Sequence, residues 1–560
     1  MSLFRRKNKP EISFEEILLD SSNLPSFNVN RMEGRIELPL SEKSMYAVGG
    51  IFVLVALIFF GQIFKLQIIE GQELTKKGEQ NRLDRALIVA ERGIVYDRNG
   101  ELIAWNERDQ TGEYGFPVRA YADLRGMGQL IGYVSYPQKD TRGFYYRTEY
   151  IGRNGVEETY NTLLSGTNGE QFVETNAHGE IISENVVEGQ IPGAELHLSI
   201  DSGLSQEMYD LIATTTETNG FRSGAAAMMD IDTGEIIALT SFPSYDPEVL
   251  ADGDDGALIK SYNSDPRFPY LNKVVGGLYT PGSIVKPFVA YAALAENVID
   301  PNKIIVSTGS ITIPNPYDPT NPAIFRDWRN SLGAMTMRDA IAYSSNVYMM
   351  TIGGGHGDQK GVGITKLNQY FKLFGLGTTT HIALSGEQAG LIPSPEWKRE
   401  TFDDDWRLGD TYLTSIGQYG FQITPLQMLR AYAALANGGY LVTPHVVKGE
   451  QGERTSISLN PEDLKVVTEG MRRTVIQEGG TARALERKDV AIAAKSGTAE
   501  LGASKAMVNS WIAGFFPYDK PKYAFILFME YGPRTNTVGA SSVMGKVFDW
   551  MAKNRPEYFN

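Results

Sequence analysis

A chain of 560 residues has room for about three or four domains of ordinary size. Hydrophobic residues make up 42% of it and charged residues 21%, which excludes wholesale disorder. A formal charge of −14 argues against electrostatic nucleic-acid binding, and the absence of cysteine removes thiol nucleophiles, disulfides and Cys-ligated metal sites. The five histidines are scattered, with no H-E-x-x-H spacing, so catalysis falls to Ser, Lys, Asp, Glu or Tyr.

Residues 1–44 carry short polar runs and are expected to form a cytoplasmic tail. Residues 45–64 follow as twenty uncharged residues, MYAVGGIFVLVALIFFGQIF, enough at a rise of about 1.5 Å per residue to cross a hydrocarbon core. A transmembrane helix is expected rather than a signal peptide, because 44 residues precede the stretch and no small-residue cleavage site follows it. Flanking charges are balanced between Arg31, Arg35 and Lys43 on one side and Lys65, Lys76, Lys77 and Arg82 on the other, so they leave the orientation open. From Lys65 to about Arg92 the spacing reads as a helical stalk. Residues 92–191 are rich in Gly, Tyr and turn signals, and read as an irregular, mainly β domain.

Beyond residue 195 the punctuation sharpens. Apolar runs Gly224–Ile231 and Glu235–Ser241 flank Asp232-Thr233-Gly234, a hairpin signal. Ser510–Phe516 and Tyr523–Glu530 flank Asp519-Lys520-Pro521 in the same way, and Val490–Ala494 reads as a short strand. Helical patterns cover Ile284–Asn297, Met337–Ile352, Pro425–Ala436 and Pro461–Gln477. Strands at both ends with helices between them predict an α+β domain, an antiparallel sheet flanked by helices.

Chemistry concentrates at Tyr279-Thr280-Pro281-Gly282-Ser283-Ile284-Val285-Lys286. The Pro-Gly turn precedes a helix start, and residues three apart on a helix share a face. Ser283 and Lys286 are therefore expected side by side near a helix N-terminus. A serine hydroxyl needs a neighbouring base. A neutral lysine can serve if burial and a second cation lower its pKa by about 3 units, and Lys495, in Lys495-Ser496-Gly497-Thr498, is the candidate cation. Ser344 and Asn346, from a Ser-Ser-Asn triplet expected inside a helix, supply a hydroxyl and an amide. Alone, each piece reads blandly as a cap, a polar helix face or a turn; in this order within one α+β pattern, their conjunction is a strong signal for an activated serine.

At these residues the chain resembles the penicillin-binding serine acyltransferases, with their S-x-x-K, S-x-N and K-[ST]-G signature. Arg92-Gly93-Ile94-Val95-Tyr96-Asp97-Arg98-Asn99-Gly100 and Gly152-Arg153-Asn154-Gly155-Val156-Glu157 are similar to motifs of the class B pedestal, or dimerisation, domain. Asp232-Thr233-Gly234-Glu235 and Pro243-Ser244-Tyr245-Asp246-Pro247 resemble the opening of a transpeptidase domain. Trp397-Lys398, Trp406, Gly409-Asp410-Thr411 and Ser415-Ile416-Gly417-Gln418 are close to the elongation group, penicillin-binding protein 2. Ser496 stands where that group often has Thr, and Asn346 where some members have Asp. The resemblance implies a pedestal over residues 65–194 and a penicillin-binding transpeptidase domain over 195–560.

It further implies a peptidoglycan D,D-transpeptidase of cell elongation and rod shape, or a serine-type D-Ala-D-Ala carboxypeptidase, acting on stem peptides, trapped by β-lactams and requiring no metal or organic cofactor. Ser283 would be the nucleophile, Lys286 its base, Ser344 the proton shuttle, Asn346 and Lys495 the groups that order the site and shape its field. Ser496, Gly497 and Thr498 would bind the substrate, and the backbone N–H groups of Ser283 and Thr498 would form the oxyanion hole. The body would then lie outside the cytoplasmic membrane of a bacterial cell, with the N-terminus inside. A RodA-type SEDS glycosyltransferase and other elongation-complex proteins would be partners, with contacts expected on the stalk and at Arg92–Gly100. The alternative role is septal. A β-lactamase is disfavoured because Glu387-Gln388-Ala389-Gly390-Leu391 lacks the Asn expected four residues after the Glu. A β-lactam-sensing receptor is disfavoured by the single membrane segment, and an inactive scaffold by the intact motifs.

Overall fold

The computed structural model describes residues 42–72, 83–110, 112, 114–141, 145–175, 181–315 and 318–559. Most of the expected tail lies outside them, as does the middle of the expected stalk. The chain divides into two compact units, residues 1–84 with 173–183, and residues 85–172 with 184–560.

In the first unit, helix α1 (Glu42–Phe64) runs on through a π-helical turn, Lys65–Ile69. Met45–Ile69 spans 25 residues, about 37 Å of helix, and is long and apolar enough to cross a bilayer. Its Phe52, Leu57, Phe59 and Phe60 are exposed, a surface that suits lipid rather than water. The helical stalk does not extend to Arg92, because Leu83–Ile88 is a β-strand.

The second unit begins with the expected irregular β region. Strands β1 (Val95–Tyr96), β2 (Leu102–Glu107) and β3 (Val118–Tyr121) are antiparallel, and β4 (Leu196–His197) joins β1 in parallel. The two pedestal motifs meet at a buried ion triad. Glu157 accepts from Arg92 Nε at 2.6 Å and from Arg119 Nε at 2.8 Å, and Arg92 Nη2 also donates to the Glu157 carbonyl at 2.9 Å. Burial alone would raise the Glu157 pKa, but the two guanidiniums outweigh it and hold it below its ordinary value. Asp97 turns inward too, accepting from the Ser202 hydroxyl at 2.8 Å and from the backbone N–H groups of Asn99 and Glu101. Arg92 and Asp97 are both 1% exposed. Their charges bind the fold together, while Asn99 and Gly100 of the same segment are exposed.

The remainder is built on a five-stranded antiparallel sheet in the order β6-β5-β9-β8-β7, where β5 is Ser223–Asp230, β6 Ile236–Phe242, β7 Ala493–Leu501, β8 Met507–Phe516 and β9 Tyr523–Pro533. Both expected hairpins form. The sheet is covered on both faces, so its strands read as continuous apolar runs. Side chains alternate along each strand: Ala225, Ala227 and Met229 face one core and Ala226 and Met228 the other. The second face packs helices α2 (Ser202–Asn219) and α8 (Ala540–Asn554) through Leu204, Met208, Val543 and Phe548. Asp201 caps α2, accepting from Leu204 N–H at 3.0 Å and pairing with Arg555 at 2.6 Å. The first face packs α3 (Lys286–Ala295) and α6 (Pro425–Ala436) through Phe288, Val289, Leu429 and Tyr432.

Two expected elements differ. The strand expected at Val490–Ala494 is instead Ala493–Leu501, so Lys495 to Thr498 lie within it, on the sheet edge. The helix expected over Met337–Ile352 is two, α4 (Met337–Ala342) and α5 (Asn346–Gly354). The break falls at Ser344, whose φ of +58° is left-handed.

Candidate active site

Ser283 lies in a single 3₁₀ turn, Gly282–Val285, that runs directly into α3, with Pro287 in the first helical turn. Backbone and side-chain bonds pin this turn from several sides. Gly282 N–H donates to the Gly417 carbonyl at 2.9 Å. Trp511 Nε1 donates to the Thr280 carbonyl at 3.0 Å and the Tyr432 hydroxyl to the Ile284 carbonyl at 2.8 Å. Gly282 has φ +59°, and a Cβ there would sit 3.0 Å from the Thr498 carbonyl. A Cβ on Gly497 would sit 2.8 Å from Ile284 Cγ2 and 3.1 Å from the Pro281 carbonyl. Glycine at both positions lets strand β7 lie directly against the serine turn.

Lys286 is fully buried one turn further on. Its Nζ donates to the Ser344 carbonyl at 2.6 Å, to Asn346 Oδ1 at 2.7 Å and to Ser344 Oγ at 3.2 Å. The helix break at Ser344 is what aims these three acceptors at one point. Lys495 is also fully buried, and its Nζ donates to the Ser496 carbonyl at 2.8 Å. Burial pulls the Lys286 pKa down to about 7, against an upward pull from Asp327. Burial, helped by the Lys286 charge, holds Lys495 well below the ordinary lysine value.

The structure thus gathers Lys286, Ser344, Asn346 and Lys495 and sets β7 beside Ser283. It does not join the Lys286 amine to the Ser283 hydroxyl. Among the described residues that hydroxyl, half-exposed, has no hydrogen-bond partner. The ammonium form explains why: its three N–H donors are matched by three acceptors on the Ser-Ser-Asn turn. A neutral amine has two N–H groups and a lone pair, so on deprotonation one of the three donated bonds is given up or reversed, the 3.2 Å bond to Ser344 Oγ being the longest. The lone pair then becomes available to a hydroxyl. Ser496 Oγ donates to Thr481 Oγ1 at 2.6 Å, and Thr498 is exposed on the strand edge. Lys286 is thus a buried amine whose pKa burial brings to about 7.

Sequence reasoning missed Asp327. It follows the strand Ala323–Arg326 and is buried, and its carboxylate accepts from Ser345 Oγ at 2.7 Å and Asn346 N–H at 2.9 Å. Between Arg326 and Trp328 it reads as a surface turn, with no periodicity to mark it. Thr481, beyond helix α7 (Pro461–Ile476), was missed for the same reason.

The penicillin-binding protein transpeptidase domain matches residues 224–549, and the penicillin-binding protein dimerisation domain matches residues 116–198. The peptidoglycan D,D-transpeptidase MrdA of Acinetobacter baumannii is 28% identical over 90% of this chain and 87% of its own. Among solved structures, penicillin-binding protein 2 of Pseudomonas aeruginosa, in complex with WCK 5153, is 29% identical with a TM-score of 0.67, covering 84% of this chain and 98% of that one. Penicillin-binding protein 2 of Helicobacter pylori, in complex with MreC, is 25% identical with a TM-score of 0.69, covering 84% of this chain and 99% of that one.

Proposed function

The chain belongs to the penicillin-binding protein transpeptidase family, and from that premise we propose how its site performs acyl transfer. The protein is a serine-type peptidoglycan D,D-transpeptidase of the elongation type, like the MrdA and penicillin-binding protein 2 relatives it matches over most of its length. The observation that carries the mechanism is the convergence of the Ser-x-x-Lys and Ser-Ser-Asn motifs on one buried amine, Lys286, poised near neutrality, with the buried Lys495 of the third motif within reach of its charge.

Neutral Lys286 removes the Ser283 proton as Oγ attacks the carbonyl of the penultimate D-alanine of a stem peptide. The backbone N–H groups of Ser283 and Thr498 receive the developing oxyanion; such donors are typically worth about 3 kcal/mol each. The proton passes through Ser344 to the amine of the departing D-alanine as the peptide bond breaks and a serine ester forms. Asn346 holds Lys286 in place, and Lys495, fixed on the Ser496 carbonyl, shapes the field. The hydroxyls of Ser496 and Thr498 bind the terminal carboxylate, and the free edge of β7 pairs with the donor peptide backbone. An amine from a second stem peptide then attacks the ester, its proton returns through the same groups, and a cross-link forms. A β-lactam enters the first half of this cycle and stays as the ester.

Residues 65–194 serve as the pedestal and 195–560 as the catalytic domain, on an anchor at residues 45–64 with the N-terminus inside and the body outside. Elongation-complex proteins are the partners, with a RodA-type polymerase supplying the glycan strands. The β-lactamase reading loses further ground, because Glu387 is spent on the Thr380 hydroxyl at 2.6 Å and on the N–H groups of Thr380 and His381. Turnover of a labelled penicillin tests the proposal. A long-lived adduct is expected, and rapid release of penicilloate would overturn it.

A further inference from the structure

Asp327 has a place in the cleft that the acyl-transfer cycle does not assign. Its carboxylate takes five donors. Oδ1 accepts from Asn346 N–H at 2.9 Å and Trp328 N–H at 3.0 Å, while Oδ2 accepts from Ser345 Oγ at 2.7 Å, Ser307 Oγ at 3.0 Å and Val347 N–H at 3.3 Å. Three of the five belong to consecutive residues, 345 to 347, immediately after the left-handed Ser344. A left-handed serine is unfavourable on its own, so the surrounding bonds must hold it, and Asp327 supplies the densest set. Asn346 is the direct link: its N–H reaches Asp327 and its Oδ1 reaches Lys286 Nζ at 2.7 Å. Among the described residues no arginine or lysine pairs with this carboxylate within ion-pair distance, although it is only 8% exposed. Its charge faces the first amides of α5 and, one residue away, the buried lysine.

We infer that Asp327 is a positioning residue for acyl transfer: it locks the Ser344–Asn346 turn against Lys286 and supplies negative charge to a pocket holding two buried lysines. The inference rests on Lys286 being the base. The ionisable groups around Lys286 are Asp327, from the segment after Ala323–Arg326, which acts on it, and Lys495 of β7, which the Lys286 charge acts on in turn; Ser344 and Asn346 do not titrate, and the rest of α3 carries no charge. Asp327 pulls the Lys286 pKa up and burial pulls it down further. Removing the Asp327 charge therefore lets Lys286 lose its proton at lower pH.

The test is the rate of acylation of the detergent-solubilised full chain by benzylpenicillin between pH 5 and 9. In Asp327→Asn, the amide oxygen can still accept from Asn346 and Trp328 and the amide nitrogen can donate to the two serine hydroxyls, so only the 3.3 Å bond from Val347 N–H is lost. Its acidic limb is expected to move down by about one pH unit, making it faster than wild type at pH 5 relative to its own plateau. Asp327→Ala frees the turn and is expected to lower the plateau about 100-fold, the scale of a misplaced catalytic group. An Asn variant with an unmoved limb, whether at full or uniformly reduced rate, overturns the inference, as does an Ala variant with the wild-type plateau. A wild type that forms no adduct on Ser283 overturns instead the functional reading on which the inference rests.

Discussion

Lowering the pH from 7 to 5 should slow acylation of Ser283 by benzylpenicillin about 50-fold, because only the neutral amine of Lys286 can accept the serine proton. With its pKa at about 7, roughly half of the amine is neutral at pH 7 and about 1% at pH 5. Above neutrality the same arithmetic leaves little to gain: the neutral fraction rises from about half to nearly one by pH 9, a twofold increase. A lysine at its ordinary value of 10.5 would behave differently, with the rate climbing about tenfold per unit through pH 9. The high-pH side is therefore diagnostic. Stopped-flow measurement of acylation with a fluorescent penicillin across pH 5–9 reads the curve directly. A plateau above about pH 8 supports a base poised by burial. A log-linear rise through pH 9 refutes the assignment of Lys286, or the burial that poises it.

Gly497→Ala places a methyl 2.8 Å from Ile284 Cγ2 and 3.1 Å from the Pro281 carbonyl, and backbone cannot yield as a side-chain tip can. The strand should be pushed off the serine turn, lowering acylation about 100-fold while circular dichroism stays native and stability falls by about 1–3 kcal/mol. Glu157→Gln strips the counter-charge from two buried arginines and should destabilise the fold by about 3–5 kcal/mol at pH 7. Thermal unfolding against pH checks the sign: Glu157 is held below its ordinary 4.5, so its contribution is complete above that value. The deficit of the variant should narrow only as the pH falls through the lowered pKa. Deleting residues 1–72 should release the chain from membranes into the soluble fraction, and a truncated chain that still sediments with vesicles would contradict the anchor.

Much of the fold was legible because the sheet writes its own pattern. Asp232-Thr233-Gly234 and Asp519-Lys520-Pro521 punctuate the strands they join, and the apolar runs between are long enough to exclude alternatives. Lys495-Ser496-Gly497-Thr498 did not read as strand because its residues are chosen for chemistry; the register with β8, Ser496 opposite Ile512 and Thr498 opposite Ser510, holds it in the sheet. The break between α4 and α5 was hidden for a related reason. No Gly or Pro marks it, and the left-handed Ser344 is held by a carboxylate distant in sequence. The motif residues of the site were therefore visible as a set, while the Lys286 hydrogen bonds and the role of Asp327 depend on tertiary proximity. Arg92 and Glu157 show the opposite case: both motifs were apparent, but not that each supplies one member of a buried ion triad completed by Arg119, which lies in neither.

Intact-mass spectrometry of the full chain after benzylpenicillin treatment tests the central claim most directly. One penicilloyl group per wild-type molecule, mapped by proteolysis to the peptide containing Ser283 and absent from Ser283→Ala, is the expected result. An unmodified wild type, or an adduct that survives in Ser283→Ala, would contradict it.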